Sequence, residues 1–467
     1  MVARNFYRLD PLGTVSRSRL IHFSMVSALA ASLSIAALSA AALTGCRRSH
    51  DEIVERDLGE LPGLRQTHHR RLAKELARLE DEKATPSLLD QYAARREYDS
   101  KDNAGAALLN LVTAKEARQL QAQLAPLRPI RLSRNVLQQR EYGSIASMHI
   151  QKIHDLHRAI ALPYCRFPVH HSRGSLDDAS WVEIVASLSQ LACVDAACCV
   201  DDAEFDKAIE SISASLRIAE FLAREYHLVT RVRAAQLRID SLQLLLELAS
   251  LSEIEDSQRT QLANLIDEQL ARWPDDSQAW KGERAMGMHF FELVRKGYLA
   301  SLCTERELRS LGDEDSIDEI VAACRAGIDD DEYTYLIAMR DVIAACEKPY
   351  YARRNELQAI RVQLSETSDE APIPRLARWL LLPQLETAQE WQARDRAVCE
   401  AALLALRRSL GRQPVVKLNP LTGESYRVSQ RAGTVEVTGI ETTPADRVLR
   451  LSTPARTARG ASFRIDD

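Results

Sequence analysis

Residues 205–251 read FDKAIESISASLRIAEFLAREYHLVTRVRAAQLRIDSLQLLLELASL, and their spacing decides the fold. Phe205, Ile209, Ile212, Leu216, Ala219 and Ala223 step by four and three without a break. After Tyr226-His227 the rhythm returns at Leu228, Val232, Ala235, Ile239, Leu242, Leu246 and Ala249. Such steps place side chains on one face of a helix. The stretch therefore predicts two amphipathic helices folded back as an antiparallel hairpin. Leu222, Leu237, Leu244 and Leu245 widen the apolar stripe beyond a coiled-coil seam, which suits a globular bundle. Burying each Leu or Ile is worth roughly 1.5–3 kcal/mol, so the hairpin requires neighbours on more than one side.

Those neighbours are legible on both flanks. Leu72, Leu76 and Leu79 open a helical pattern at residue 67, and Pro86 separates it from a short helix over 87–98. Asp102-Asn103 reads as the cap of a helix over 104–112, and Pro126, Pro129, Pro163 and Pro168 punctuate the next stretch of chain. Downstream, Leu262, Leu265, Ile266 and Leu270 mark a helix that stops before Trp273-Pro274. Asp275-Asp276-Ser277 caps another that runs to Gly297. Short helices over 305–311 and 316–326 precede longer ones over 330–346 and 375–410, the last with Pro383 expected to kink it. Alternation in 415–439, with Val428, Val435 and Val437, predicts a small hairpin. The fold expected is all-α, an irregular multi-helix bundle or solenoid-like array of antiparallel helical hairpins with a small C-terminal β-hairpin.

Composition agrees. Glycine numbers 17 and aromatics make up 5% of the 467 residues, so helices are favoured over a sandwich or barrel. The 61 basic and 66 acidic residues are well mixed; no basic face stands out, which argues against a nucleic-acid partner.

Before the helices lies Leu20–Cys46, free of Asp, Glu, Lys and Arg and preceded by Arg4, Arg8, Arg17 and Arg19. A basic start, an apolar core and a small-residue exit describe an export signal. Leu43-Thr44-Gly45-Cys46 resembles the lipobox of bacterial lipoproteins, which implies lipidation at Cys46. The run is also long enough for an uncleaved transmembrane anchor. Either way the later residues are expected on the exported side of the bacterial cytoplasmic membrane or on the outer membrane. The organisation expected is a signal peptide or anchor over 1–46, a linker over 47–66, an α-helical domain over 67–410, the hairpin over 411–440 and a flexible tail over 441–467.

A wider resemblance rests on Asp102-Asn103-Ala104, the turn Arg224-Glu225-Tyr226-His227-Leu228-Val229, Gly282-Glu283-Arg284-Ala285, and residues 401–411 leading into Asn419-Pro420-Leu421-Thr422-Gly423. In that order they resemble DNA-A, GERA and DP-x-x-G-x-x-x-x-Y elements of a group of exported, helix-rich bacterial proteins, over roughly residues 85–440. The sequence departs at Asn419, where an Asp is usual, and in the short segment before it. The group carries no assigned activity, so the resemblance implies fold and location. Residues 419–426 also echo the C-terminal end of type II secretion pseudopilins, but the prepilin cleavage site is missing, and a structural turn is the better reading.

Nine cysteines is many for an exported chain. With Cys46 set aside, Cys165, Cys193, Cys198, Cys199, Cys303, Cys324, Cys346 and Cys399 are an even set that can form disulfides in an oxidising compartment or serve as small buried hydrophobes. Adjacent Cys198 and Cys199 are poorly placed to bond each other.

The chemistry-bearing group is His154-x-x-His157, Cys165 and His170-His171, in which imidazole and thiolate suit zinc or copper. No nucleophile elbow, P-loop, dinucleotide fingerprint, HExxH or haem-attachment motif occurs. Asp313-Glu314-Asp315 and residues 329–332 lack EF-hand spacing and read as charge at helix N-termini. The expectation is an envelope lipoprotein acting as a helical interaction or scaffold module, with no catalysis and no cofactor inferred. It would touch the membrane through its N-terminal lipid or apolar helix and bind an envelope protein. The alternative is a metal-binding or metal-dependent envelope protein using the His154, His157, Cys165 and His170 group.

Overall fold

The computed structural model describes residues 67–86, 100–132, 135–169, 171, 174, 179–365, 374–413, 417–431, 433–440 and 449–452. The leader with Cys46, the linker, the expected helix over 87–98, His170 and most of the expected tail lie outside the described residues.

Among the described residues sixteen α-helices and three strands follow one another. The first part of the chain forms α1 (Arg70–Asp81), α2 (Ala104–Leu111), α3 (Ala114–Leu124), α4 (Val136–Met148), α5 (Ile150–Ile160) and α6 (Ser180–Asp201). The hairpin is α7 (Phe205–Ala223) and α8 (Leu228–Ala249), where the spacing places it. Then come α9 (Asp256–Ala271), α10 (Asp276–Arg295), the short α11 (Leu299–Leu302) and α12 (Glu305–Arg309), α13 (Ile317–Ala326), α14 (Ile328–Ala345), α15 (Tyr350–Ser365) and α16 (Arg375–Ser409). Their starts are written locally. Thr113 with Glu116, Thr304 with Glu307 and Ser316 with Glu319 form reciprocal capping boxes that satisfy otherwise orphaned N–H groups.

The hairpin finds its neighbours as the wide stripe requires. Helix α7 packs between α6 and α8, and α8 packs in turn against α16. Helix α16 also carries α9, α14 and α15 on its flanks, so the fold is an irregular helical bundle. Leu228, Ala235 and Leu242 are buried on α8, as are Leu237, Leu244 and Leu245. Pro383 lies within α16, whose helical run continues past it to Ser409.

Periodicity does not announce α6. Among the described residues it is the one helix long and apolar enough to cross a membrane, yet most of it is buried inside the bundle. Packed by α3, α4, α7 and α8, it is covered over most of its length and shows little amphipathic rhythm.

The C-terminal hairpin is larger than expected. Strands β1 (Arg427–Arg431) and β2 (Thr434–Thr438) pair antiparallel, and β3 (Leu449–Ser452), from the stretch expected to be a loose tail, adds to the free edge of β2. Leu451 stands opposite Val435 with both side chains fully buried, and the sheet packs on α16. Alternation of Leu449, Arg450 and Leu451 is the strand signal that four residues are too short to display.

Acidic residues at helix starts work across elements as well as within them. Asp331, in the first turn of α14, accepts the N–H groups of Leu376 and Ala377 at 2.8 and 2.7 Å, and so caps α16. Burial nevertheless pushes its carboxyl up to about 6, outweighing those hydrogen bonds.

Candidate functional site

The histidines and cysteine of the expected metal group have separate partners. His154 is exposed on α5. His157, one turn on, contacts Ser211 through Nε2 at 3.3 Å and borders a surface groove of about 250 Å³ with Glu210 and Gln261. Ser211 donates to Asp195 at 2.5 Å and is 1% exposed, so it cannot meet a substrate and its proton is turned from the imidazole. His171 is buried, with Nε2 at 3.0 Å from the carbonyl of Tyr226. Burial raises the Cys165 thiol well above its ordinary value. Among the described residues no group of three or more His, Cys, Asp or Glu is placed to hold a metal ion. Of the expected disulfide set, Cys193, Cys199, Cys303, Cys324, Cys346 and Cys399 are buried, as small hydrophobes are.

Three of the short motifs noticed in the sequence meet instead. Asn103 caps α2, and its side chain also brackets Arg166: Nδ2 donates to the carbonyl at 3.1 Å and Oδ1 accepts the N–H at 2.9 Å. The next residue, Phe167, donates its N–H to Glu225 at 3.1 Å, in the turn between α7 and α8. That turn rests on Gly282 of α10 so closely that an added Cβ would lie 1.7 Å from the Tyr226 carbonyl oxygen. Glu283 takes the N–H of Leu228. Glu225 and Glu283 are half-buried, and burial pushes both carboxyls up to about 7. Burial pushes His227 down to about 4, so it stays neutral and caps α8 by accepting the Val229 N–H.

Deeper in the bundle lies a box of charge that no motif reading anticipates. Arg231 of α8 donates to the carbonyls of Ala223 and Pro274 at 2.7 and 2.9 Å and to Asp276 at 2.9 Å. The other oxygen of Asp276 accepts from Arg353 of α15 at 2.8 Å. Two turns along α8, Arg238 pairs with Asp395 of α16 and lies 4.6 Å over the Trp273 ring. Gln389, two turns before Asp395 on α16, donates to the Cys346 thiol at 3.4 Å. Arg231, Arg238, Arg353, Gln389, Gln392 and Asp395 are each no more than 4% exposed. A signal for it exists: Arg231 and Arg238 occupy the same face of α8 as Leu228, Ala235 and Leu242. Fixed guanidinium groups in such a place bind and orient anions. No known protein family, curated protein or solved structure matches the chain.

Proposed function

We propose that the chain is a lipid-anchored module of the bacterial cell envelope whose helical body holds a partner protein at the membrane. The observation that carries this reading is the uncharged run of residues 20–46 closing on Leu43-Thr44-Gly45-Cys46. A thiol there would take acyl chains, and at ~0.8 kcal/mol per buried CH₂ two or three chains make a firm anchor. The body suits the role of a rigid arm, since buried ion pairs link α8, α10, α15 and α16. The test is membrane fractionation with intact-mass measurement of the native chain and its Cys46→Ala variant. Membrane association with acyl mass, both lost in the variant, supports the anchor; cross-linking in cells to a reproducible envelope protein supports the module. An unmodified chain in the cytosolic fraction overturns the reading.

A further inference from the structure

Helices α5 and α9 both pack on α7, and the groove of about 250 Å³ runs along their junction. Ile160 of α5, Ile209 of α7 and Leu265 of α9 give it apolar walls. His157, Glu210, Ser213 and Gln261 line the same space. A water takes about 30 Å³, so there is room for a small organic molecule, and aliphatic walls favour one over water.

The hydrogen bonds already made restrict what that molecule can carry. Ser211 gives its one proton to Asp195 at 2.5 Å, so at the 3.3 Å contact the His157 ring is the donor, through Nε2. In the neutral ring the lone pair therefore sits on Nδ1. Glu210 adds a carboxylate, and among the described residues the side chains of Glu210, Ser213 and Gln261 make no hydrogen bond or ion pair. Cations on the neighbouring turns are taken: Arg158 pairs with Asp155, Lys207 with Glu204 and Arg217 with Glu220. The groove thus carries one carboxylate and neither lysine nor arginine in its lining.

An anion would be repelled by Glu210. A neutral alcohol would displace water from that carboxylate without balancing its charge. A metal ion takes three or more protein ligands, and the described residues offer no such group. We propose that the groove between α5, α7 and α9 binds a small primary alkylammonium compound. Its three N–H donors and positive charge answer Glu210 and the His157 lone pair, and its hydrocarbon body lies against Ile160, Ile209 and Leu265.

Titration calorimetry on the full chain compares butylammonium with butanol and butyrate, its neutral and anionic counterparts. Butylammonium should bind saturably at one site and about tenfold tighter than butanol, with butyrate silent. Glu210→Gln keeps the shape and removes the charge, so it should weaken butylammonium by about tenfold and leave butanol unchanged. Gln261→Lys sets a fixed ammonium in the groove and should abolish the response. Both positions are exposed, so both variants should melt with the native chain. Equal affinity for butylammonium and butanol, unchanged affinity in Glu210→Gln, or a response that survives Gln261→Lys overturns the site. A lysine capped at both ends that binds more tightly than butylammonium overturns the small-molecule assignment in favour of a partner's side chain.

Discussion

The side-chain amide of Asn419 donates to the backbone carbonyl of Gly439 at 2.7 Å and to that of the next residue, Ile440, at 3.1 Å. Its own oxygen accepts the N–H of Leu421 at 2.7 Å, and the residue is fully buried. One amide therefore closes the turn before β1 and fastens the end of β2 to it. The resemblance drawn from the sequence puts an Asp at this position, but a carboxylate has no hydrogens to give. Asn419→Asp would set a buried charge against two carbonyl oxygens, so it should cost about 2–4 kcal/mol. Urea denaturation at neutral pH checks this, and the loss should shrink at acid pH as the carboxyl takes a proton.

Gly282 and Gly143 should answer the same substitution with opposite signs. Alanine is favoured over glycine inside a helix by about 1 kcal/mol. At Gly143 on α4 an added Cβ meets nothing within 4 Å, so Gly143→Ala should stabilise by about 0.5–1 kcal/mol. At Gly282 the Cβ collides with the backbone of Tyr226, and neither partner is a flexible side-chain end. Helix α10 must back away from the α7–α8 turn, and the net loss should be about 2–3 kcal/mol. The pair is read by chemical denaturation of both variants.

The turn also sets a pH dependence with two opposed parts. Glu225 titrates at about 7 in the fold, above its ordinary value of 4.5, because burial disfavours its charge. Its stabilising contribution is complete below about pH 4.5 and is lost as pH rises through 7. His227 runs the other way: depressed from 6.5 to about 4, it contributes fully above 6.5 and loses that contribution as pH falls through 4. Glu225→Gln should flatten the decline in melting temperature between about pH 4.5 and 7. His227→Asn, which keeps an acceptor at the cap, should flatten the fall on the acid side. Glu283, also near 7, should preserve part of the alkaline slope in the Glu225→Gln protein.

What the sequence reveals and what it hides divide along physical lines. The α7–α8 hairpin is legible because its apolar residues keep the helical period, although neighbours cover it on more than one side. Helix α6 is enclosed over most of its surface, and a period needs a wet face to contrast with a dry one. Strand β3 shows only four residues of alternation, too few to rise above chance. The histidine and cysteine group resembles a ligand set because it is clustered along the chain; in space His157 meets Ser211 and His171 meets the Tyr226 carbonyl. The arginine box has the reverse character. Arg238 and Asp395 are 157 positions apart, and Arg353 and Asp276 are 77 apart, so no local motif contains them. Asp276 reads from the sequence as an ordinary helix-start acid.

That same Asp276 makes the last prediction. It is 22% exposed, but the two guanidinium groups it bridges are 4% and 1% exposed, so removing it strands two positive charges out of water. Breaking a buried pair by deleting one partner costs about 3–5 kcal/mol, because the remaining charge is neither solvated nor compensated. Asp276→Ala should fall in or above that range, since Arg231 and Arg353 lose their carboxylate together. Deleting one side of an exposed pair is the control: Arg361 and Glu386, at 51% and 47% exposure, bond at 2.9 Å. Arg361→Ala should cost less than about 1 kcal/mol, because both groups are already hydrated and the pair is screened. Urea midpoints of the two variants, compared at low and high salt, separate these cases. The Arg361→Ala loss should vanish in salt, whereas the Asp276→Ala loss should persist, since mobile ions in bulk solvent screen the buried groups poorly.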